Sequence, residues 1–256
     1  MRERAAQNQL AIFDIDGTLT ATNAVDDECY LRAVAETLEV DVGAVDWSDA
    51  PHVSDAAIAR WLWRCHRDRA PEPHEVAQLR QRFFALLTAA LVSSPERFVP
   101  IEGAREIVHH LRSAGWSVAL ATGAWGPSAT IKLRAAGFVS DRVPLACGDD
   151  AESREDIVRL AWRKAEAEAG ISFQRVVSVG DAPWDVRTAR SLGIPFVGIA
   201  TGPGAHRLRT AGATTILPHF ADPSAVLAAF ASASVPTVAA PAASLERASA
   251  RLTHEW

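Results

Sequence analysis

Lysine is almost absent from this sequence. Of 26 basic residues only Lys132 and Lys164 carry an amine, so any chemistry that needs one has two candidates. Cysteine is scarce as well. Cys29, Cys65 and Cys147 are scattered and odd in number, which excludes a disulfide framework and a CxxC metal pair and points to a reducing, cytoplasmic setting. Long apolar runs are missing. Stretches such as Leu10–Phe13 and Val118–Ala121 fall far short of the roughly 20 residues of a membrane helix, and residues 1–9 lack the apolar core of a signal peptide; no membrane is expected. Positive charge is not in excess: the formal net charge is −5, which argues against nucleic acid as a partner. What remains is ordinary. Apolar residues make up 48% and charged residues 22%, a globular composition that excludes a disordered chain, a collagen and a coiled coil. The 256 residues exceed one modal domain of roughly 100–150 residues and fall short of two, so a core with a smaller insert fits.

Short apolar runs recur at Leu10–Ile15, Val118–Ala121, Val143–Ala146, Val176–Val179, Phe196–Ala200 and Thr214–Leu217. Helically spaced stretches separate most of them: Ala104–Ala114, Ser128–Ala136, Arg154–Ala169 and Val186–Leu192. This alternation predicts an α/β fold, a Rossmann-like doubly wound parallel sheet, and the nearly continuous apolar character of the runs predicts strands buried on both faces. Residues 21–98 break the pattern. They contain no convincing strand and read as helices over Asp26–Leu38, Ser54–Arg67 and Pro73–Leu91, with Ser54 and Asp55 as a start signal and Pro73 suited to a first turn. The expected division is a core of residues 1–20 and 99–231, an inserted all-helical cap of residues 21–98, and an Ala/Ser/Pro-rich tail of residues 232–256 with a short helix at Leu245–Leu252.

Three of the core runs end alike. Leu10-Ala-Ile-Phe13 leads into Asp14-Ile-Asp16-Gly17-Thr18, Val118-Ala-Leu-Ala121 into Thr122-Gly123, and Val176-Val-Ser-Val179 into Gly180-Asp181 with Asp185 four residues on. A carboxylate inside a strand buried on both faces is costly. These groups are therefore expected at the carboxyl ends of the strands, the edge where open α/β sheets bind ligands. Asp14 and Asp16, two apart on a strand, would share one face about 6.6 Å apart along the chain. With Asp181 and Asp185 they make a pocket too negative to stay ionised without a cation, and Mg²⁺ with oxygen ligands is the natural partner. Turn and capping chemistry is the plainer reading of an Asp-Gly pair, but it does not call for the buried strand that precedes it. Asp185 also reads as a simple helix-start residue and Thr122 as a helix N-cap, an end that binds anions in any case.

Asp14-Ile-Asp-Gly-Thr-Leu19 resembles the first motif of the haloacid dehalogenase superfamily; Thr122-Gly123 is similar to the second and Gly180-Asp181-x-x-x-Asp185 to the fourth. The resemblance spans about Leu10 to Leu217, and the insert lies where that superfamily carries a helical C1-type cap. It implies a Mg²⁺-dependent phosphatase. Asp14 would attack phosphorus to give an aspartyl-phosphate. Asp16 would protonate the leaving oxygen and then activate water. Mg²⁺ would be held by Asp14, Asp181 and the backbone carbonyl of Asp16, with Asp185 supporting it directly or through water, and phosphate by the Thr122 hydroxyl and the Gly123 N–H. The third motif normally supplies a lysine. Here Arg154 stands at about that place, 27 residues before Asp181, and a guanidinium binds phosphate bidentately; Lys164, ten residues later among charged neighbours, reads as a solvated face. Asp149 and Asp150 read equally as a surface loop or as the rim of the metal site.

Thr201-Gly-Pro-Gly204 lacks the full GxGxxG pattern and reads as a turn. The cap should select the substrate, with the segment from Thr20 to Glu28 as the best candidate because it leads from the nucleophile into the insert. Trp125 could line the pocket or pack in the core. The partner is expected to be a small phosphorylated metabolite, and the chain a monomer or homodimer. The alternatives are a phosphomutase of the same superfamily and a non-catalytic protein of that fold. Asp16 counts against a haloacid dehalogenase proper. The absence of lysine from residues 21–98 leaves a phosphonate-cleaving member no Schiff-base candidate.

Overall fold

A computed structural model describes residues 8–43, 45–138 and 143–238. Six strands form one parallel sheet: β1 (Gln9–Phe13), β2 (Trp116–Ala121), β3 (Leu145–Ala146), β4 (Arg175–Gly180), β5 (Phe196–Ile199) and β6 (Ile216–Leu217), in the order β3-β2-β1-β4-β5-β6. β1 is central, and the chain builds outward on one side of it before crossing to the other. Alternate residues of β1 face opposite layers, as strand geometry demands. Ala11 and Phe13 pack with Ile107 and Leu111 of a helix at Ala104–Ser113 and with Phe230 of a helix at Pro223–Ser232. Leu10 and Ile12 pack with Ile157 and Ala161 of a helix at Arg154–Ala169 and with Val186 of a helix at Pro183–Leu192. Each large apolar side chain buried this way contributes about 1.5–3 kcal/mol.

In chain order the helices are α1 (Asn23–Leu38), α2 (Asp55–Arg67), α3 (Pro73–Ser93), α4 (Ala104–Ser113), α5 (Gly126–Ala135), α6 (Arg154–Ala169), α7 (Pro183–Leu192), α8 (Gly202–Ala211) and α9 (Pro223–Ser232). The first three, with two short 3₁₀ turns, fill residues 21–98, where the described residues hold no strand. They enclose an apolar cluster of their own around Tyr30, Trp63, Leu79 and Phe83. The chain leaves the core and returns to it side by side: Ala21 N–H donates to the Val99 carbonyl at 2.9 Å, and Ile101 N–H to Leu19 at 2.9 Å. Trp125 is buried in this helical cluster, with its ring 5.9 Å from Tyr30, which resolves its placement in favour of packing.

The structure departs from the sequence expectations at several ends. β1 stops at Phe13, so Asp14 and Asp16 lie in the following loop rather than on one strand face. Only Leu145–Ala146 of the third run pairs as β3; residues 139–142 lie outside the described set. Thr201-Gly-Pro-Gly204 opens α8 instead of forming a separate turn, because Thr201 is extended and Pro203 suits a first helical turn. α9 was not anticipated. Beyond it Ala233 is buried in the core, and the Ser234 carbonyl accepts from Phe196 N–H at 3.1 Å, while Leu245–Leu252 lies outside the described residues.

Candidate active site

Parallel register brings the strand ends level. Phe13 pairs with Leu120 on one side and Val179 on the other, so the residues after β1, β2 and β4 emerge together. Asp14 extends the ladder by one bond, its N–H donating to Val179 at 2.9 Å, and Thr122 N–H likewise reaches Ala146 at 3.1 Å. Gly17 then turns the chain at φ 74°, where a side chain would collide with Asp181 and Asn23; only glycine lets the loop close this tightly.

Carboxylate oxygens of Asp14, Asp181 and Asp185 come within 4.8 Å of one another. Arg154, buried at the start of α6 behind its Ser153 N-cap, joins two of them: Nη2 lies 3.0 Å from Asp14 Oδ1 and bonds Asp185 Oδ1. Asp185 combines both of its sequence readings. Its other oxygen accepts from Ala182 N–H at 3.1 Å, which secures the start of α7. Asp181 accepts from Asn23 Nδ2 at 2.9 Å. Burial raises the Asp14 carboxyl well above the usual range, offset by Arg154 and reinforced by Asp185, Asp181 and Asp16. Burial, then Asp185, raises Asp181 to about 7. For Arg154 burial disfavours the charge, but the carboxylates of Asp185 and Asp14 outweigh it and hold the guanidinium above its normal range. Clustered oxygen-only donors, two of them buried and Asp181 half-buried, fit a hard divalent cation.

Asp16 faces elsewhere. Thr22 Oγ1 donates to its Oδ1 at 2.5 Å, and Lys132 Nζ sits 2.6 Å from its Oδ2. The Asp16 side chain is thus separate from the three-carboxylate cluster, to which this residue could add only its backbone carbonyl. Thr122 is buried beside Asp14 in the same cavity but is not a helix cap. Trp125 occupies that position for α5, and the Thr122 hydroxyl accepts from Ala124 N–H at 3.1 Å. The Gly123 carbonyl accepts from Asp55 N–H at 2.9 Å, and a Cβ at Gly123 would press on Val53 and Arg154, so the insert rests directly on this turn. Lys164 is turned away to the Leu145 carbonyl, 2.8 Å, and Asp150. Asp149 bonds Gly126 N–H at 2.8 Å and Arg80, and Asp150 accepts from Cys147 N–H at 2.9 Å. Both are loop-building groups rather than members of the carboxylate cluster.

A cavity of about 90 Å³ opens between these residues and the insert, lined on the insert side by Asp26, Asp27, Tyr30, Trp47 and Asp55. The segment from Thr20 to Glu28 does reach the centre, through Thr22, Asn23 and Asp26. Sequence reasoning passed over Lys132: its side chain is fully buried, and Nζ is also 2.7 Å from Asp26 Oδ1. Burial pushes its ammonium down, yet Asp16, Asp26 and Asp55 together raise it above normal. The signal available was scarcity, since one of only two lysines falls within the helix after Thr122-Gly123.

Fold and site define a doubly wound α/β protein with a carboxylate-rich centre at its topological switch point. Residues 9–193 match the haloacid dehalogenase-like hydrolase family, and the chain belongs to it. Among curated proteins it is 28% identical over 197 residues to a phosphoglycolate phosphatase of Agrobacterium fabrum, covering 75% of this chain and 81% of that one. Among solved structures it is similar to a hydrolase from Pseudomonas syringae (TM-score 0.65, 20% identity, 85% of this chain and 95% of that one). It is also similar to CbbY from Rhodobacter sphaeroides in complex with xylulose-(1,5)bisphosphate (TM-score 0.60, 24% identity, 83% and 95%).

Proposed function

We propose that this chain is a Mg²⁺-dependent phosphatase of a small phosphorylated metabolite, with residues 21–98 as a C1-type cap on a core of residues 1–20 and 99–231. The observation that carries the reading is the division of labour between two neighbouring carboxylates. Asp14 sits in the cation-binding cluster against Arg154, while Asp16 is held apart from it by Lys132 and Thr22. Asp14 attacks phosphorus; the O–P bond to Asp14 forms as the bond to the leaving oxygen breaks, and that oxygen takes its proton from Asp16. Asp16, now ionised, accepts a proton from water, whose oxygen displaces Asp14 and frees phosphate. Arg154, the Thr122 hydroxyl and the Gly123 N–H hold the phosphoryl oxygens, and such positioning with charge neutralisation supplies most of the catalysis in phosphoryl transfer. Mg²⁺, held by Asp14, Asp181, Asp185 and the Asp16 carbonyl, supplies charge neutralisation at the phosphoryl group.

A phosphate-release screen over sugar phosphates, phosphoglycolate, nucleotides and p-nitrophenyl phosphate, with and without Mg²⁺, tests this reading. Mg²⁺-dependent release is expected, and silence on every ester would overturn it. Interconversion of sugar phosphates without release would favour the mutase alternative.

The cavity wall predicts an order within that screen. Arg154 is the one cation among the described residues lining it, and it is committed to the phosphate; Arg60 and Arg80 are paired with Glu152 and Asp149. A carboxylate on the leaving group would face Asp26, Asp27 and Asp55. Phosphoglycolate is therefore expected to have a lower kcat/KM than an uncharged polyol phosphate at pH 8, with the gap narrowing as pH falls through about 7 and burial lets Asp26 take up a proton. Phosphoglycolate as the best substrate would refute the assignment of this wall to the leaving group.

The buried carboxyls predict a pH effect on stability. Asp26 and Asp181 are raised from 3.8 to about 7, each by burial first. The metal-free fold therefore keeps protons that the unfolded chain releases near pH 4. The associated stability is present at low pH and is lost as pH rises through about 7. Tm of the metal-free chain should fall between pH 5 and 8. At pH 8, Mg²⁺ at 100 times its Kd adds about 2.7 kcal/mol, roughly 5–10 °C for a chain of this size. A scanning-calorimetry series with and without Mg²⁺ measures both, and a flat Tm would contradict the placement of these carboxyls.

A further inference from the structure

We infer that Lys132 is a positioning residue for Asp16, setting the orientation in which this carboxyl gives its proton to the leaving group; the inference rests on the phosphatase reading above. Lys132 is fully buried in the last turns of α5 and lines no part of the cavity, so it cannot touch substrate and acts only through its partners. Its Nζ contacts two carboxylates, Asp16 Oδ2 at 2.6 Å and Asp26 Oδ1 at 2.7 Å. Thr22 Oγ1 holds the opposite oxygen of Asp16 at 2.5 Å and is itself 2.6 Å from Thr20 Oγ1. The Asp16 carboxyl is thus gripped at both oxygens, which fixes its plane, and each oxygen keeps a lone pair free for a proton in transit. Of the groups that hold it, Lys132 alone brings charge.

The competing explanation is structural: the ammonium could simply pin α1, through Asp26, to the core. Desolvating an ammonium is expensive, and an apolar residue facing a neutral position 26 would join these elements without that cost. What an apolar residue cannot do is hold Asp16. The two explanations differ in what they predict for leaving groups. Loss of packing slows every ester alike. Misplacement of the proton donor slows an alkyl ester, whose alkoxide must be protonated, far more than an aryl ester whose phenolate departs without a proton.

The test uses the full chain with Mg²⁺ and two substrates, glycerol 2-phosphate and p-nitrophenyl phosphate. In Lys132→Met the kcat/KM ratio of alkyl to aryl ester, which reports leaving-group departure and excludes the later hydrolysis common to both esters, is expected to fall by about 30-fold or more, a substantial part of the 10²–10⁴ that general acid–base catalysis contributes. Lys132→Arg should recover a large part of the ratio. Leu79→Ala, a packing change in the insert's apolar cluster away from the cavity, should lower Tm and keep the parent ratio. Should Lys132→Met fail to fold, Lys132→Met/Asp26→Asn removes one charge of each sign and carries the same comparison. Equal losses on both esters in a folded variant would overturn the proposal, as would failure of both variants to fold, which would assign Lys132 to stability alone. If the parent chain hydrolyses neither ester, it is the phosphatase reading that fails, a result separate from either of these.

Discussion

Asp14→Asn is expected to reduce phosphate release by at least ~10⁴-fold while leaving the fold intact, because an amide cannot form the aspartyl-phosphate on which every later step depends. The variant separates chemistry from stability. Asp14 is buried with its carboxyl raised well above the normal range, first by desolvation and then by Asp185, Asp181 and Asp16 against the single offset of Arg154. Replacing it with a neutral side chain of the same shape removes that repulsion and should leave Tm at pH 8 equal to or above that of the parent in metal-free buffer. Single-turnover phosphate release and a thermal melt read the two effects independently. Activity within tenfold of the parent would place the nucleophile elsewhere. A collapse in Tm would mean that the Arg154–Asp14 contact stabilises the fold more than the carboxylate cluster strains it.

Arg154→Ala is expected to be damaging in both respects. The guanidinium lies between Asp14 and Asp185, buried with both of them. Its removal leaves a buried cluster of like charges uncompensated, which costs about 3–5 kcal/mol when one partner of a buried pair is deleted, and it takes away the cation placed to meet phosphate. A fall in kcat/KM of ~10²-fold or more should follow, with Arg154→Lys recovering part because it restores the charge without the fork. Lys164→Ala is the matched control. That side chain is largely exposed and paired with Asp150, an arrangement worth about 0–1 kcal/mol, and activity should change less than about twofold. A large loss in Lys164→Ala with a mild one in Arg154→Ala would reverse the assignment of the phosphate cation.

Much of this arrangement was legible before any coordinates. Carboxylates and a threonine placed directly after apolar runs have only one tolerable location in a parallel sheet, the carboxyl edge. Short-range sequence therefore indicated that Asp14, Thr122 and Asp181 meet, and the structure brings them together. The strandless stretch after β1 was equally plain, since helical spacing and caps such as Ser54 are local signals. Other features were not local. Asp14-x-Asp16 looks like one strand face, but the strand ends at Phe13, and the Gly17 turn sends the two side chains into different company. Thr201–Gly204 has turn composition and yet starts a helix, because an N-terminus and a turn use the same residues.

Composition and spacing by themselves determined the α/β class, the helical insert and the acidic centre, because those follow from periodicity within an element and from the cost of burying charge in a strand. The tertiary structure decided which cation serves which carboxylate. Arg154 goes to Asp14 and Asp185, and Lys132 to Asp16 and Asp26. Those pairings join residues 106 to 140 positions apart except for Asp185, and they depend on which face of α5 and α6 turns toward the sheet edge. A helix face is chosen by the packing of the whole core, so a buried lysine and a solvated one look alike in sequence until the layers are in place.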